Sequence, residues 1–180
     1  MKKSTATAKP IKFDRQSALR RRQLIDDIAS LPDVTRVGDC DDMAVEFSVD
    51  AHTPLDSFFF TNRCENRFWT RHYNPAFEVR VETAEQFDIS LKNGAFSGNA
   101  PALCRALNEN ELLSRLLAQL DLLSLTLTAG EGVCRIRVSP MVGCIIKMLF
   151  PGMTYCIRPQ HRELAQCLQI LQLLLSVLQL

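Results

Sequence analysis

Residues 164–180 read LAQCLQILQLLLSVLQL, a run without a charged side chain. On a helix of 3.6 residues per turn, its polar positions fall three, three, four and three residues apart and form one stripe. A lipid-spanning helix gains nothing from such a stripe, and these 17 residues would reach only about 25 Å against a hydrocarbon core of roughly 30 Å. The run therefore predicts a helix that packs a wide apolar face on a sheet, and no membrane span. The polar positions are Gln166, Gln169, Gln172, Ser176 and Gln179.

The same periodicity separates buried from exposed positions on this helix. Gln169, Gln172 and Gln179 are predicted to be the most exposed. An interface with a partner or a second copy, or contact with a membrane surface, are the alternatives for the apolar face. The residues predicted to face the core are Leu168, Leu171, Leu174, Leu175 and Leu178.

Strand patterns precede the terminal helix. LSLTLT (123–128) and VCRIRV (133–138) flank a Gly-containing turn and predict a hairpin. MVGCIIKMLF (141–150) lies between turn signals and predicts a buried strand, which MTYCI (153–157) would join across a Pro-Gly turn.

Further upstream, apolar and polar residues alternate in AFEVRVE (76–82) and FDISLK (87–92). The short polar segment TAEQ (83–86) joins the two, so they are predicted to pair as a hairpin with one solvent-exposed face. KNGAFSGNAP (92–101) is rich in Gly and Asn and predicts a loop.

The N-terminal half shows further strands. VTRVG (34–38) and MAVEFSV (43–49) are separated by an acidic turn at residues 39–42, and the aromatic residues 57–75 predict one or two strands. The turn's carboxylates lack the glycine and the distal glutamate of a calcium loop, and Asp is a common turn former, so no metal site is predicted.

Two more helices are predicted. One runs over residues 15–30, with arginines and aspartates opposite its apolar face. A middle helix runs over residues 102–120 and is broken near Asn108, which could form a capping box with Glu111. Pro159 is predicted to open the terminal helix.

These elements predict an α+β fold in which one or more antiparallel sheets pack against an N-terminal, a middle and a long C-terminal helix. Residues 1–14 are predicted to be a disordered basic tail, and residues 15–180 a single domain. Apolar residues make up 47% and charged residues 23% of the chain, typical of a globular protein. With 21 basic and 20 acidic residues, the chain is not basic throughout.

Seven cysteines lie far apart, with no C-x-x-C pair and no signal peptide before them. A disulfide framework or a standard zinc site is therefore not expected. A reducing, cytoplasmic location is predicted.

The stretch NRCENRFWTRHYN (62–74) has the composition of a binding surface. Arginines neutralise phosphates and aromatic rings stack on unpaired bases, so this stretch could contact single-stranded nucleic acid. The near-neutral net charge and the lack of a recognition module argue against that use, and strands alternating Arg with aromatics are more often half core and half solvent. The candidate contacts are Arg63, Arg67, Trp69, Arg71 and Tyr73.

No pattern identifies a reaction. HRELA (161–165) lacks the second histidine of a zinc protease, and GAFSG (94–98) places its serine fourth, where a nucleophile elbow needs it third. We therefore predict no catalytic residue, no cofactor and no metal site.

Residues 120–171 resemble the C-terminal part of an uncharacterised proteobacterial family of unknown function. The resemblance lies in the LDLLSLTL entry, the VSPMVG turn and the LFPGMTYCIRP run before the helix. It implies a bacterial origin and a single α+β domain, and it brings no activity with it.

Taken together, the sequence favours a small cytoplasmic binding or interaction protein that is not an enzyme. An apolar-ligand carrier, in which the terminal helix closes over a curved sheet, is one alternative. A weak single-stranded nucleic-acid binder acting through residues 63–73 is another. A protein partner or self-association is left open, whereas nucleic acid is the less favoured partner.

Overall fold

The computed structural model describes residues 14–40, 44–50, 53–150 and 152–178 of the chain. Of the predicted tail, only Asp14 lies within them. The helices in this part are α1 (Arg15–Ala29), α2 (Pro101–Glu109), α3 (Glu111–Ala118) and α4 (His161–Leu178). The strands are β1 (Val34–Asp39), β2 (Ala44–Val49), β3 (Ser57–Arg67), β4 (Thr70–Glu82), β5 (Phe87–Lys92), β6 (Ala95–Gly98), β7 (Leu122–Gly130), β8 (Val133–Pro140), β9 (Ile145–Met148) and β10 (Met153–Cys156).

All of these strands belong to one antiparallel sheet. Its order is β1-β2-β3-β4-β8-β7-β5-β6, and β9 lies beside β4 with β10 as its outer neighbour. The predicted α+β class with an antiparallel sheet is confirmed.

β4 is the strand around which the sheet is arranged. On one side it pairs with β3 from Glu78 to Thr70. On the other side it pairs with β8 over residues 77–82 and with β9 over residues 70–73. Pro75 lies between these two ladders, where its missing N–H breaks no ladder hydrogen bond. The Ser139 hydroxyl donates to the Pro75 carbonyl at 2.6 Å.

The predicted hairpin between residues 76–82 and 87–92 is wrong. Both segments form strands, β4 and β5, but β8 and β7 lie between them in the sheet. The connecting residues pass the end of the β7–β8 hairpin, where the Thr83 N–H donates to the Gly132 carbonyl at 3.0 Å. Alternation fixes which side of a strand faces the core, and it does not specify the neighbouring strand.

A second correction concerns residues 92–101, which contain the strand β6. Asn93 and Gly94 both have positive φ angles, 51° and 80°, and they form the turn of a β5–β6 hairpin. Asn-Gly favours such turns because both residues tolerate this backbone region.

The middle helix is divided into α2 and α3, so the predicted break is present, two residues after Asn108. The break lies at Asn110, whose Oδ1 accepts from the Leu113 N–H at 2.9 Å, and not at Asn108. Asn108 instead accepts from the Phe96 N–H at 2.8 Å and donates to the Phe96 carbonyl at 3.1 Å. It thereby joins α2 to β6.

The helices and one side of the sheet enclose a single core. Aromatic rings from β2, β3 and β4 stack in its centre, with centroids 5.2 Å apart for Phe47 and Phe58 and 5.8 Å apart for Phe58 and Phe77. The strand residues of this core include Val45, Phe47, Phe58, Phe60, Phe77, Val79, Ile89, Leu125, Leu127, Ile136 and Val138.

α4 packs against β4 and β8 and against the other helices. Four of the five leucines predicted to be buried are buried: Leu168, Leu171, Leu174 and Leu175. Leu178 is half-buried, and residue 179 lies outside the described residues. No helix in the described part of the chain is long and apolar enough to cross a membrane.

The polar stripe of α4 differs from the prediction at two positions, Gln172 and Gln166. Gln169 and Ser176 are exposed and Gln172 is half-buried, but Gln166 is buried. Its Nε2 donates to Oε1 of Gln119, at the C-terminus of α3, at 2.9 Å. This partner lies far away in sequence, so the helical period could not reveal it. Pro159 also lies two residues before the helix begins, and Gln160 is its N-cap.

α1 begins at Asp14, whose Oδ1 accepts from the N–H groups of Gln16 and Ser17 at 3.0 Å. Its other oxygen accepts from Nζ of Lys147 on β9. Burial favours the protonated carboxyl, but the hydrogen bonds and the positive charge of Lys147 outweigh it, so the pKa of Asp14 is lowered. This carboxylate therefore stabilises the start of α1 and its attachment to the sheet.

Leu171→Ala should test whether α4 belongs to the core. Leu171 is fully buried, so the change removes transfer energy and leaves a cavity, and it should lower the free energy of unfolding by about 2–5 kcal/mol. Gln169→Lys, on the exposed side of the same helix, should change it by less than about 0.5 kcal/mol. Urea unfolding followed by circular dichroism measures both, and equal stability of the two variants would contradict this packing.

Asp14→Asn should remove a contribution to stability that depends on pH, so the difference between parent and variant should change with pH. Because the folded-state pKa lies below the ordinary value of 3.8, the carboxylate stabilises the fold fully above that value. Its contribution, about 0.3–1 kcal/mol, disappears as pH falls through the lowered pKa. Thermal unfolding should therefore separate the parent from the variant at pH 7 and bring them together near about pH 2. A difference that stays constant over this range would show that the charge has no role.

Candidate functional site

The predicted binding stretch forms the far end of the β3–β4 hairpin. Phe68 and Trp69 are the turn between Arg67 and Thr70, which are register partners. Within the residues that the structure describes, β2 pairs with β3 as far as Thr61, and β4 is the single neighbour of the last part of β3. The hairpin therefore extends beyond the body of the sheet.

The structure does not bring the five predicted contacts onto one surface. Tyr73 is only 1% exposed, so its ring cannot stack on a base in this arrangement. Arg71 lies on the same side of β4 and hydrogen-bonds to the Tyr73 side chain. Arg63 and Arg67 are exposed on the opposite side of the hairpin, and Trp69 is at its end. The charged and aromatic groups thus surround the hairpin and do not line one face.

The turn itself presents two aromatic rings to the solvent. Phe68 is 85% exposed and Trp69 is 60% exposed. Their ring centroids are 4.7 Å apart in an edge-to-face arrangement with an interplanar angle of 82°. Exposure of two large neighbouring aromatic side chains is the pattern that marks a contact surface.

A second apolar turn lies beside the first. Leu149 and Phe150 follow β9 and are 45% and 78% exposed. The Leu149 N–H donates to the Trp69 carbonyl at 2.9 Å, and Met148 is the register partner of Thr70. The β4–β9 ladder therefore holds the two turns side by side. We call Phe68, Trp69, Leu149 and Phe150 the aromatic tip.

The sequence did not predict the second half of the aromatic tip. Residues 141–150 were predicted to be one buried strand, but β9 spans only Ile145–Met148 and Ile145 alone of its residues is buried. The available signal was the Pro-Gly pair at residues 151–152, which predicts a turn directly after Phe150. MTYCI does pair with β9, as predicted.

The surroundings of the aromatic tip are positively charged. The sequence has no carboxylate in residues 66–77 or 141–158, whereas these segments carry four cations. Glu65, just outside them, lies 3.7 Å from Arg67. Three of these cations, Arg67, Arg71 and Lys147, are close in sequence to the aromatic tip, whereas Arg158 lies beyond the opposite end of the β9–β10 ladder.

A cleft of about 340 Å³ opens between α1 and β10. Arg20, Asp27 and Arg158 line it together with the Cys156 thiol. Burial raises the pKa of Cys156, and the two arginines lower it by less, so the net shift is upward. The thiol therefore lacks the lowered pKa that a cysteine nucleophile needs.

A second cleft, of about 440 Å³, lies at the C-terminal end of α4. Its apolar lining comes from Phe87 at the start of β5, from Leu103 in α2 and from Val177 and Leu178. The cleft is beside the end of the helix, whereas the residues beneath the middle of α4 belong to the core.

Metal-binding groups do not cluster in the described residues, where no set of three His, Cys, Asp or Glu side chains could hold an ion. Asp39 of the acidic turn pairs with Arg36 at 2.9 Å. Asp41 and Asp42 lie outside the described residues. His72 hydrogen-bonds to Thr70 at 2.9 Å.

The thiols should differ sharply in reactivity. The seven cysteines form no disulfide, Cys40 is exposed, and burial raises the pKa of Cys134 and Cys144 to about 11. At about pH 8 a thiol with such a pKa is a thiolate only about once in a thousand molecules, so native protein should show fast reaction at Cys40 and almost none at these two. Thiol titration with mass mapping, before and after denaturation, measures this. Cys40→Ser should remove the fast phase, and rapid labelling of Cys134 in native protein would contradict the structure.

No curated protein and no solved structure matches the chain. The model of one protein family matches residues 34–178, from the first residue of β1 to the last residue of α4. The match includes the whole sheet and both turns of the aromatic tip, and it extends the resemblance seen in residues 120–171 over most of the chain. The chain therefore belongs to the family described as "Protein of unknown function (DUF3156)".

Proposed function

We propose that this protein is a non-catalytic binding protein that contacts its partner through the aromatic tip. The observation that carries the proposal is the exposure of Phe68 and Phe150, 85% and 78%, on two turns held together by backbone pairing. Burial of apolar surface stabilises a fold by about 25 cal/mol per Å², and exposed aromatic side chains do not contribute this free energy. The stability of the fold therefore gives no reason for large aromatic residues on these two turns.

Turn geometry does not account for these side chains either. Two-residue hairpin loops favour Asn and Gly, which supply the backbone angles that a tight turn needs. The β5–β6 hairpin of this protein has such a turn, Asn93-Gly94. The β3–β4 turn has Phe68-Trp69 in the equivalent place. The choice of two large aromatics there is best explained by contact with something outside the chain.

The two alternative functions have weaker support. A nucleic-acid binder would use Arg63, Arg67 and Trp69, but Tyr73 is buried and Phe68 meets Trp69 edge to face, which leaves no pair of parallel rings for bases. A carrier of apolar ligands would draw on the cleft at the end of α4. The helix-over-sheet cavity of a carrier would lie beneath Leu171 and Leu174, and these residues are fully buried in the core.

Site-specific photo-crosslinking should locate the binding surface. We expect p-benzoylphenylalanine at position 150 to give adducts in the cells from which the protein comes, because that side chain is at the aromatic tip. The same probe at position 112 should give none, since Leu112 is equally apolar and 55% exposed but lies on α3. Mass spectrometry of the adducts reports protein, lipid or nucleic acid. Adducts at position 112 as abundant as those at position 150 would refute the proposal.

Tip substitutions serve as a control for folding. Phe68→Ser and Phe150→Ser remove exposed side chains, so each should change the free energy of unfolding by less than about 0.5 kcal/mol. Trp69→Ser in the protein that carries the probe at position 150 should reduce crosslinking without loss of folded protein. Loss of stability by several kcal/mol in these variants would mean that the tip belongs to the core.

A further inference from the structure

Resting on the proposed function, we infer that the partner of the aromatic tip is the surface of a lipid bilayer that contains anionic lipids. The tip combines three properties that this surface recognises: a convex shape, an apolar apex and cations just behind the apex.

The shape comes from the sheet. The end of the β3–β4 hairpin extends past the last pairing of β2 with β3, and the turn after β9 lies beside it. Phe68 and Phe150, the two most exposed apolar side chains in the described residues, are on these two turns. A bilayer deforms around such a projection, whereas a folded protein partner would need a matching cavity.

The cations lie at the depth of lipid headgroups. Arg67 precedes the apex by one residue, Arg71 follows it by two, and Lys147 precedes Leu149 by two. At a rise of about 3.3 Å per residue, the cations start about 3–7 Å behind the apolar side chains. Interfacial segments bury their apolar face about 5–10 Å deep, and long cationic side chains reach back to the phosphates. The distance between the apolar side chains and the cations therefore fits a bound state in which the aromatic tip lies among the upper acyl chains and the cations contact the lipid phosphates.

The charge is also complementary. Arg67 and Arg71 lie on opposite sides of the hairpin, and Lys147 lies on β9 two residues before Leu149. Lys147 pairs with Asp14 and Arg67 lies 3.7 Å from Glu65, so three cations meet two carboxylates and the region behind the tip has one positive charge in excess. Cytoplasmic leaflets carry anionic lipids, in agreement with the location predicted from the sequence. The centre of a protein interface is instead depleted of charge.

Trp69 gives a direct test because it is the only tryptophan in the chain. Added vesicles of phosphatidylcholine with phosphatidylglycerol should shift its fluorescence to shorter wavelength and carry the protein into the vesicle pellet. Vesicles of phosphatidylcholine alone should bind it far less. Arg67→Gln and Arg71→Gln should each lower the partition coefficient about fivefold. Phe150→Ser should lower it by at least as much, whereas Leu112→Ser, the matched exposed leucine on α3, should leave it unchanged.

Each outcome decides between the hypotheses. Vesicle binding that survives Phe150→Ser would overturn the inference, because the contact would then lie elsewhere. No fluorescence shift with anionic vesicles, together with adducts to protein or nucleic acid from position 150, would refute the bilayer and retain the tip as a binding surface. A shift produced by single-stranded oligonucleotides at low salt, and not by vesicles, would assign the tip to nucleic acid. Absence of both vesicle binding and crosslinks would refute the inference and the proposed function together.

Discussion

The structure depends on the edge of β4 opposite β3, which is shared between two strands, β8 and β9. Pro75 lies at the boundary between them on this edge of β4: the ladder with β9 covers residues 70–73 before it, and the ladder with β8 covers residues 77–82 after it. The half of β4 that pairs with β8 carries Phe77 and Val79 and lies over the core beneath α4. The other half, from Thr70 to Tyr73, supports the aromatic tip. One proline thus separates the part of the sheet that is stabilised by packing from the part that is available for contact.

The elements that the sequence predicted correctly are those determined by interactions between residues close together in the chain. The bounds of α1, the β7–β8 hairpin and the buried leucines of α4 follow from periods of two or 3.6 residues and from turn residues. β6 was missed although Asn93-Gly94 is a strong hairpin signal, because the four residues after it were too few to show alternation. The pairing of β4 with β8 could not be derived, since alternation is the same whichever strand is the neighbour.

In the candidate site, too, the sequence predicted the features that depend on local composition and missed those that depend on strand pairing. Trp69 and Arg67 were predicted from composition, and they are exposed as a binding residue must be. Tyr73, four residues further, has the same composition around it but faces the helices and is buried. Leu149 and Phe150 were assigned to the core because an apolar run is normally buried. Their exposure results from the end of β9 at Met148, which depends on a register that links residues more than 70 positions apart.

The helix α1 is part of the folding unit, although it lies outside the family match. The family match begins at β1, so it leaves this helix outside. Yet Leu24, Ile25 and Ile28 are buried in the core, and α1 contacts β9 and β10 as well as α4. Gly143, just before β9, has a positive φ of 82°, which disfavours a side chain, and a Cβ there would lie 2.8 Å from Cδ2 of Leu24. A shortened chain that started at residue 34 would uncover the inner side of the strands that carry the second apolar turn, and would leave Lys147 without its carboxylate. A piece of this protein studied alone therefore needs to include Asp14 and α1, some twenty residues before the shared family sequence begins.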